Sequence, residues 1–289
     1  MEVRAMGSTN QTKSGLWTAG FGEVGATLSA LEKHGVTPDH LARLRGEDTY
    51  AKRVAEFMLR GGLEGSVHQK LARAIMGKNF FGIEDWSALY GVNFSQKQLR
   101  AIAEFPWGED ILSSPCPFHK GKTIRETHVA FLGLDRYMGK PLTIMKWQEI
   151  HPGSGQPRFY SYPQDCWYKD EKFANNPTCG FRWYLMPLLI VPDSESKTYQ
   201  DQVAMLPTEY EAPFAIEEVS KDLLYHRKHG TFLNSNRYGR CQDVASSGYR
   251  VSVGDFDSDG LSVDDWAGDG RSDDVVGVAA SRKYPNLES

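Results

Sequence analysis

Between Gln242 and Asp274 the chain holds nine Asp and two Arg but neither Glu nor Lys, although it uses all four charged residues freely elsewhere. Asp and Glu carry the same charge and differ by one methylene, so an acidic surface alone gives little reason to refuse Glu. A restriction acting on codons does. Asn codons with adenine at the first two bases and a pyrimidine at the third can give Asp, Ser, Gly, Ala, Tyr or Arg when those adenines are randomised, and never Glu, Lys, Gln, Met or Trp. The residues that obey this alphabet fall in patches: Ala245-Ser246-Ser247, Asp257-Ser258-Asp259, Asp264-Asp265, Ala267-Gly268-Asp269-Gly270 and Ser272-Asp273-Asp274. Between them Val251, Val253, Phe256, Leu261, Val263, Trp266, Val276 and Val278 form an apolar frame, with Trp266 outside the restricted alphabet. The chain must therefore fold so that the frame is packed and the patches are spared packing duty.

Three segments, Asn236 to Asp243, Gly248 to Phe256 and Val276 to Lys283, resemble the carboxy-terminal variable region of the variable proteins of diversity-generating retroelements. Upstream, Pro207 to Val219 and on to Lys228-His229-Gly230 is similar to the helix that precedes that region. Its residues also predict a helix by themselves. Thr208 is placed as N-cap with Glu211 completing a capping box, Ala212, Ala215, Ile216, Val219 and Leu223 share a face, and Gly230 is the stop. The resemblance covers about the last third of the chain and implies a C-type-lectin-like fold that displays a diversified ligand-binding surface without catalysis.

On that basis the expected ligand-binding positions are Asp243, Tyr249, Ser252, Asp255 and Ser262 together with the five patches. Tyr249, Arg271 and the Asp groups are expected to contribute most of the energy, while Ser and Gly adapt the shape. Such a surface is acidic, so the expected partner is a macromolecule with a basic or polar patch, bound more weakly as salt rises. Trp266 is expected to anchor its loop, and Arg282 and Lys283 to help close the fold outside the variable surface.

Composition limits the other functions. A formal net charge of -4 lacks the basic footprint of a nucleic-acid binder. No run reaches the ~20 apolar residues of a membrane span, the nearest being Trp183 to Val191. The four cysteines are too sparse for a disulfide scaffold, and no apolar signal core follows Met1, so a reduced, cytoplasmic protein without cofactor or metal is expected. Two other readings stay open. Asp255-x-Asp257-x-Asp259-Gly260 opens like a calcium loop, but Trp266 stands where the closing bidentate Glu belongs. A cryptic oxidase of the formylglycine-generating type would work through paired cysteines, and Cys241 has no cysteine neighbour in sequence. Cys116, His119 and His128 make too few close ligands for structural zinc. His226 and His229 suit a helix C-terminus as cations.

The predicted architecture is α+β, with a loosely ordered leader over residues 1–31, a small helical domain over 32–110 and the ligand-binding domain over 111–289. Thr37 caps a helix opening at Pro38, and Gly61-Gly62 breaks the helical run. Ser66 with Gln69 and Ser95 with Gln98 form capping boxes, closed by Gly77 and by Pro106. Beyond Pro106 the aromatic runs Leu142 to Trp147, Arg158 to Tyr162 and Phe181 to Met186 read as strands.

Overall fold

A computed structural model describes residues 20–59, 61–163, 165–266 and 274–285. Its contacts divide the chain into two units between Glu56 and Phe57. The smaller unit is helical: α1 (Phe21–Lys33), α2 (Pro38–Gly46) and most of α3 (Asp48–Leu59). None of these helices has a buried residue. Thr37 occupies the N-cap of α2 with Pro38 as its first residue, as the sequence predicts. The expected leader over 1–31 falls partly on α1, where the Glu23 carboxylate accepts from the Gly20 N–H at 3.0 Å; residues 1–19 lie outside the described residues.

The larger unit begins with α4 (Val67–Met76), β1 (Phe80–Phe81), α5 (Ile83–Tyr90), α6 (Gln96–Ala101), α7 (Glu109–Leu112) and α8 (Ile124–Thr127). There follow β2 (His128–Leu132), β3 (Arg136–Tyr137), β4 (Lys140–Pro141), α9 (Ile144–Ile150), α10 (Lys172–Asn175), β5 (Trp183–Pro187), α11 (Tyr199–Ala204) and β6 (Tyr210–Glu211). The chain closes with α12 (Ala215–His229), β7 (Tyr238–Val244), β8 (Arg250–Asp257), β9 (Gly260–Trp266), β10 (Val276–Val278) and β11 (Ser281–Arg282). Mixed helix and sheet make the chain α+β. Among the described residues no helix is long and apolar enough to cross a membrane.

The division at residue 56, well before the boundary expected near 110, has an aromatic cause. Trp183 on β5 packs against Phe80 and Phe105, each with ring centroids 5.2 Å away, and its indole N–H donates to the Ile102 carbonyl. The helices from α4 to α7 thus close one core with β2 and β5. Ser66 still caps α4, but the Gln69 side chain, expected to complete a box, reaches instead to the Ile102 carbonyl at 2.8 Å.

Two sheets flank α12. One has the order β1-β2-β5 and the other β10-β7-β8-β9, with β10 parallel to β7 and the remaining pairs of that sheet antiparallel. Every residue of α12 from Ala215 to His226 is buried. Its apolar positions Val219 and Leu223 share a core with Val251, Val253, Phe256, Leu261 and Val263, while Lys221 and Lys228 donate to the carbonyls of Pro187 and Phe80 on the other sheet.

Three local expectations are corrected. The last helix starts at Ala215, not after Thr208, because Tyr210 and Glu211 pair with Arg282 and Ser281 and Pro213 lies just before the helix. Its capping carboxylate is Glu217, which accepts from the Phe214 N–H at 3.0 Å. Gly230 does end it, at φ 66°. Leu142 to Trp147 is mostly helical, with the Thr143 hydroxyl capping α9, and of Arg158 to Tyr162 only Phe159 makes a strand-like bridge, to Leu261. Phe181 to Met186 does enter a strand, β5.

Candidate ligand-binding surface

Among the described residues, the sheet β10-β7-β8-β9 and its turns carry the candidate positions, and the register sorts them. Val251, Val253, Phe256, Leu261, Val263, Val276 and Val278 are all fully buried. The frame residues thus become the packed sides of the strands. Arg237, Tyr238 and Gly254 explain a tight spot in the sheet: Gly254 has φ +156°, and a Cβ there would collide with the Arg237 carbonyl.

Several expected ligand positions lie inside. Ser252 is fully buried, facing Arg240 on β7 and Asp264 on β9, and Ala245 and Ser262 are buried too. Asp243 serves the scaffold: its carboxylate accepts from the Ala215 N–H at 2.6 Å, holding the first turn of α12. Burial pushes this carboxyl above its ordinary range, against the opposing pull of its backbone hydrogen bonds and of Arg250. These four stand apart from a displayed surface. Sequence alphabet alone does not separate them from exposed positions, because the middle of β8 and the start of β9 are buried on both faces, over 251–254 and 260–263, which only the rest of the chain determines.

The candidates that are exposed or half-buried gather at two ends of the sheet. Ser246, Ser247 and Tyr249 form the β7–β8 turn, and Asp264 and Asp265 lie beside it because Arg250 pairs with Trp266 and Ser252 with Asp264. The Ser247 hydroxyl donates to Asp265 Oδ2 at 2.6 Å, and Tyr249 is 47% exposed. Asp255, Asp257, Ser258 and Asp259 lie at the far end of β8, and Asp274 lies there also, since the Tyr238 N–H bonds to Val275. The length of β8 separates the two groups by roughly 20 Å at ~3.3 Å per residue. Ala267, Gly268, Asp269, Gly270, Arg271, Ser272 and Asp273 fall outside the described residues.

Side chains from earlier in the chain brace both ends. Glu171 accepts from the Ser246 N–H at 3.0 Å and from its hydroxyl, fixing the Tyr249-bearing turn. At the opposite end Arg158 and Gln156 donate to the Ser258 carbonyl at 2.7 and 2.8 Å. Along the open edge of β9, Tyr162 and Trp167 satisfy Val263: its N–H donates to the Tyr162 hydroxyl at 3.2 Å and its carbonyl accepts from the Trp167 indole at 2.8 Å. These bracing residues were missed because nothing local in a Tyr- and Trp-rich run tells which distant strand it will cover. Trp266 packs on the Tyr238 ring, with centroids 5.0 Å apart, as an anchoring residue would. Arg282 pairs with Tyr210 in β11–β6, and Lys283 donates to the Thr208 carbonyl, so both close the fold away from the turns.

Electrostatically, the Tyr249 end brings together Asp264, Asp265 and Glu171. Burial pushes the Asp264 carboxyl up, and the charge of Asp265 adds to the shift while the Asp265 N–H opposes it. In the would-be calcium loop each carboxylate faces a different way. Asp255, at φ +43°, accepts from the Tyr238 hydroxyl, Asp257 from the Asp259 N–H at 2.7 Å, and Asp259 lies 3.8 Å from Arg158. Among the described residues no group of three or more His, Cys, Asp or Glu is placed to hold a metal ion.

Cys241 is fully buried on β7 and burial pushes its thiol well up, away from a reactive thiolate. His226 packs between Phe232 and Phe256, and His229 donates to the Lys78 carbonyl at 2.8 Å. Burial lowers the pKa of both, which disfavours the cationic helix-end role expected of them. Compared with protein-family models, with curated proteins and with solved structures, the chain matches none of them.

Proposed function

We propose that the chain is a diversified ligand-binding protein. Its larger unit is assigned a C-type-lectin-like fold, and recognition occurs without chemistry on the Tyr249 end of the sheet. Ser246, Ser247, Tyr249, Asp264 and Asp265 are the contact residues. The observation that carries this reading is the division of labour in β8 and β9. The aliphatic and Phe residues of the frame are fully buried, while Ser246, Ser247 and Tyr249 of the turn are exposed, Asp264 and Asp265 beside it are half-buried, and Glu171 from outside the segment braces Ser246. A scaffold of that kind tolerates change at the turn without repacking its core. Tyr249 supplies large, rigid contact area, and the carboxylates favour a basic partner.

Selection against a random-peptide library tests the reading. Peptides rich in Lys and Arg are expected to emerge, to bind at least ~10-fold more weakly to an Asp264→Ser, Asp265→Ser double variant, and to weaken between low and high salt. Peptides without basic bias, or binding indifferent to both changes, would contradict it.

A further inference from the structure

Behind the display sheet, α12 carries a polar cluster that ligand recognition does not use. Glu218, Lys221 and Asp222 are at most 2% exposed, and Asn234, in the loop before β7, is 2% exposed. One oxygen organises the group. Glu218 Oε1 lies 2.5 Å from Lys221 Nζ and accepts from Asn234 Nδ2 at 3.2 Å. The Asn234 amide oxygen in turn accepts from the Ile190 N–H at 3.0 Å. Asn234 is held at φ +50°, and Glu218 Oε2 has no hydrogen-bond partner. Val219 and Leu223 on the same helix and Leu233 beside Asn234 belong to the apolar core.

Burying three charged groups is costly, and a hydrophobic replacement of similar volume is often as stable. The arrangement has a use of its own if the cluster reacts. An amine nucleophile, a carboxylate within proton-transfer distance of it, and an amide whose oxygen is already polarised by a backbone N–H are the parts of an acyl transfer. We propose that Lys221 and Asn234 join in an intramolecular isopeptide bond, with Glu218 carrying the protons.

The step balances as follows. Burial alone would lower the Lys221 pKa, but the charges and hydrogen bonds of its neighbours, Glu218 first, more than offset it and keep the amine cationic at rest, so its proton first passes to Glu218. The neutral Nζ then attacks Cγ of Asn234, and the Ile190 N–H holds the developing oxyanion. Glu218 returns the proton to the departing nitrogen of Asn234, the C–N bond to Nδ2 breaks, and ammonia leaves, taking up the second proton of the attacking amine. No oxidant or cofactor enters. Holding both reactants in one dry site replaces a collision with an effective molarity that reaches about 10⁵ M or more in well-oriented systems. Asp222 lies 3.4 Å from Lys221 and neither of its oxygens has a hydrogen-bond partner. Burial favours its neutral form, so it does not compete as a second base. The product ties α12 to the loop entering β7.

Intact-mass measurement of the full-length chain, denatured after purification, tests this directly. The expected mass is lower than that of the sequence by one ammonia, and a protease digest contains two peptides joined through Lys221 and Asn234. Glu218→Gln, which keeps the shape of the site but cannot take the proton, is expected to give the uncorrected sequence mass with those peptides separate. A wild-type chain at full sequence mass overturns the proposal whatever the variant does. Loss of water in place of ammonia also overturns it, since that product requires a carboxyl, Glu218 or Asp222, as acyl donor. A cross-link that persists in Glu218→Gln removes Glu218 from its assigned role.

Discussion

At the residue scale, two positions of the same polar segment have unlike duties. Gly254 is held at φ +156° against the Arg237 carbonyl, where no side chain fits. Gly254→Ala is expected to lose about 3 kcal/mol of stability in urea unfolding, combining backbone strain with a steric clash in the sheet. A loss below about 0.5 kcal/mol would show that β7 and β8 can separate there. Asp243 belongs to the restricted alphabet yet caps α12 through the Ala215 N–H. Asp243→Ala should therefore cost roughly 1 kcal/mol while leaving binding of selected peptides unchanged. Loss of binding without loss of stability would return Asp243 to the surface. Composition disclosed which residues form the frame, because apolar side chains have one favourable place. It could not distinguish a capping Asp from a displayed one, since both are Asp in a polar segment and the difference lies in a helix 28 positions away.

At the scale of elements, local chemistry was readable where it was self-contained. Thr37-Pro38, Ser95 with Gln98, and Gly230 each act within one turn of helix, and each sits where its neighbours predict. The start of α12 failed the same treatment because Tyr210 and Glu211 are claimed by β11, about 70 residues later. The edge of β9 is the other long-range feature. Tyr162→Phe removes the hydroxyl that bonds Val263, so the variant is expected to lose about 1 kcal/mol. Its Val263 amide should exchange with solvent at least several-fold faster, as measured by hydrogen exchange. Unchanged protection at Val263 would mean that Trp167 and β8 suffice to hold the edge.

At the scale of the whole molecule, the larger unit keeps several ionisable groups in an apolar interior, and their titration has opposite signs. Burial, reinforced by the Arg227 guanidinium and by the neighbouring His226, pulls His151 down to about 3 from an ordinary 6.5. Its neutral form is the folded one, so its contribution is present above pH 6.5 and is lost as pH falls toward 3. Burial likewise pushes Glu217 up to about 7 from 4.5, against its bond to the Phe214 N–H and the nearby Arg182. That contribution is present below pH 4.5 and lost as pH rises through 7. Replacing one group at a time isolates each effect. The stability advantage of wild type over His151→Gln should shrink by about 1.4 kcal/mol per pH unit below 6.5, whereas Glu217→Gln should gain on wild type at a similar slope between 4.5 and 7. Parallel stability curves in urea for variant and parent would refute the assigned burial.

Diversification would leave its record in how the Asp-rich segment arose, and the DNA around the gene holds that record. Sequencing the flanks is predicted to find a near-copy of codons 240–283 beside a reverse transcriptase gene, differing from this chain's codons only where the copy has adenine. Ser246, Ser247, Tyr249, Asp264 and Asp265 should be among the differing positions, and Val251, Val253 and Val263 should not. Flanks holding neither a copy nor a reverse transcriptase, or a copy whose differences fall on the buried frame, would contradict diversification as the origin of this surface.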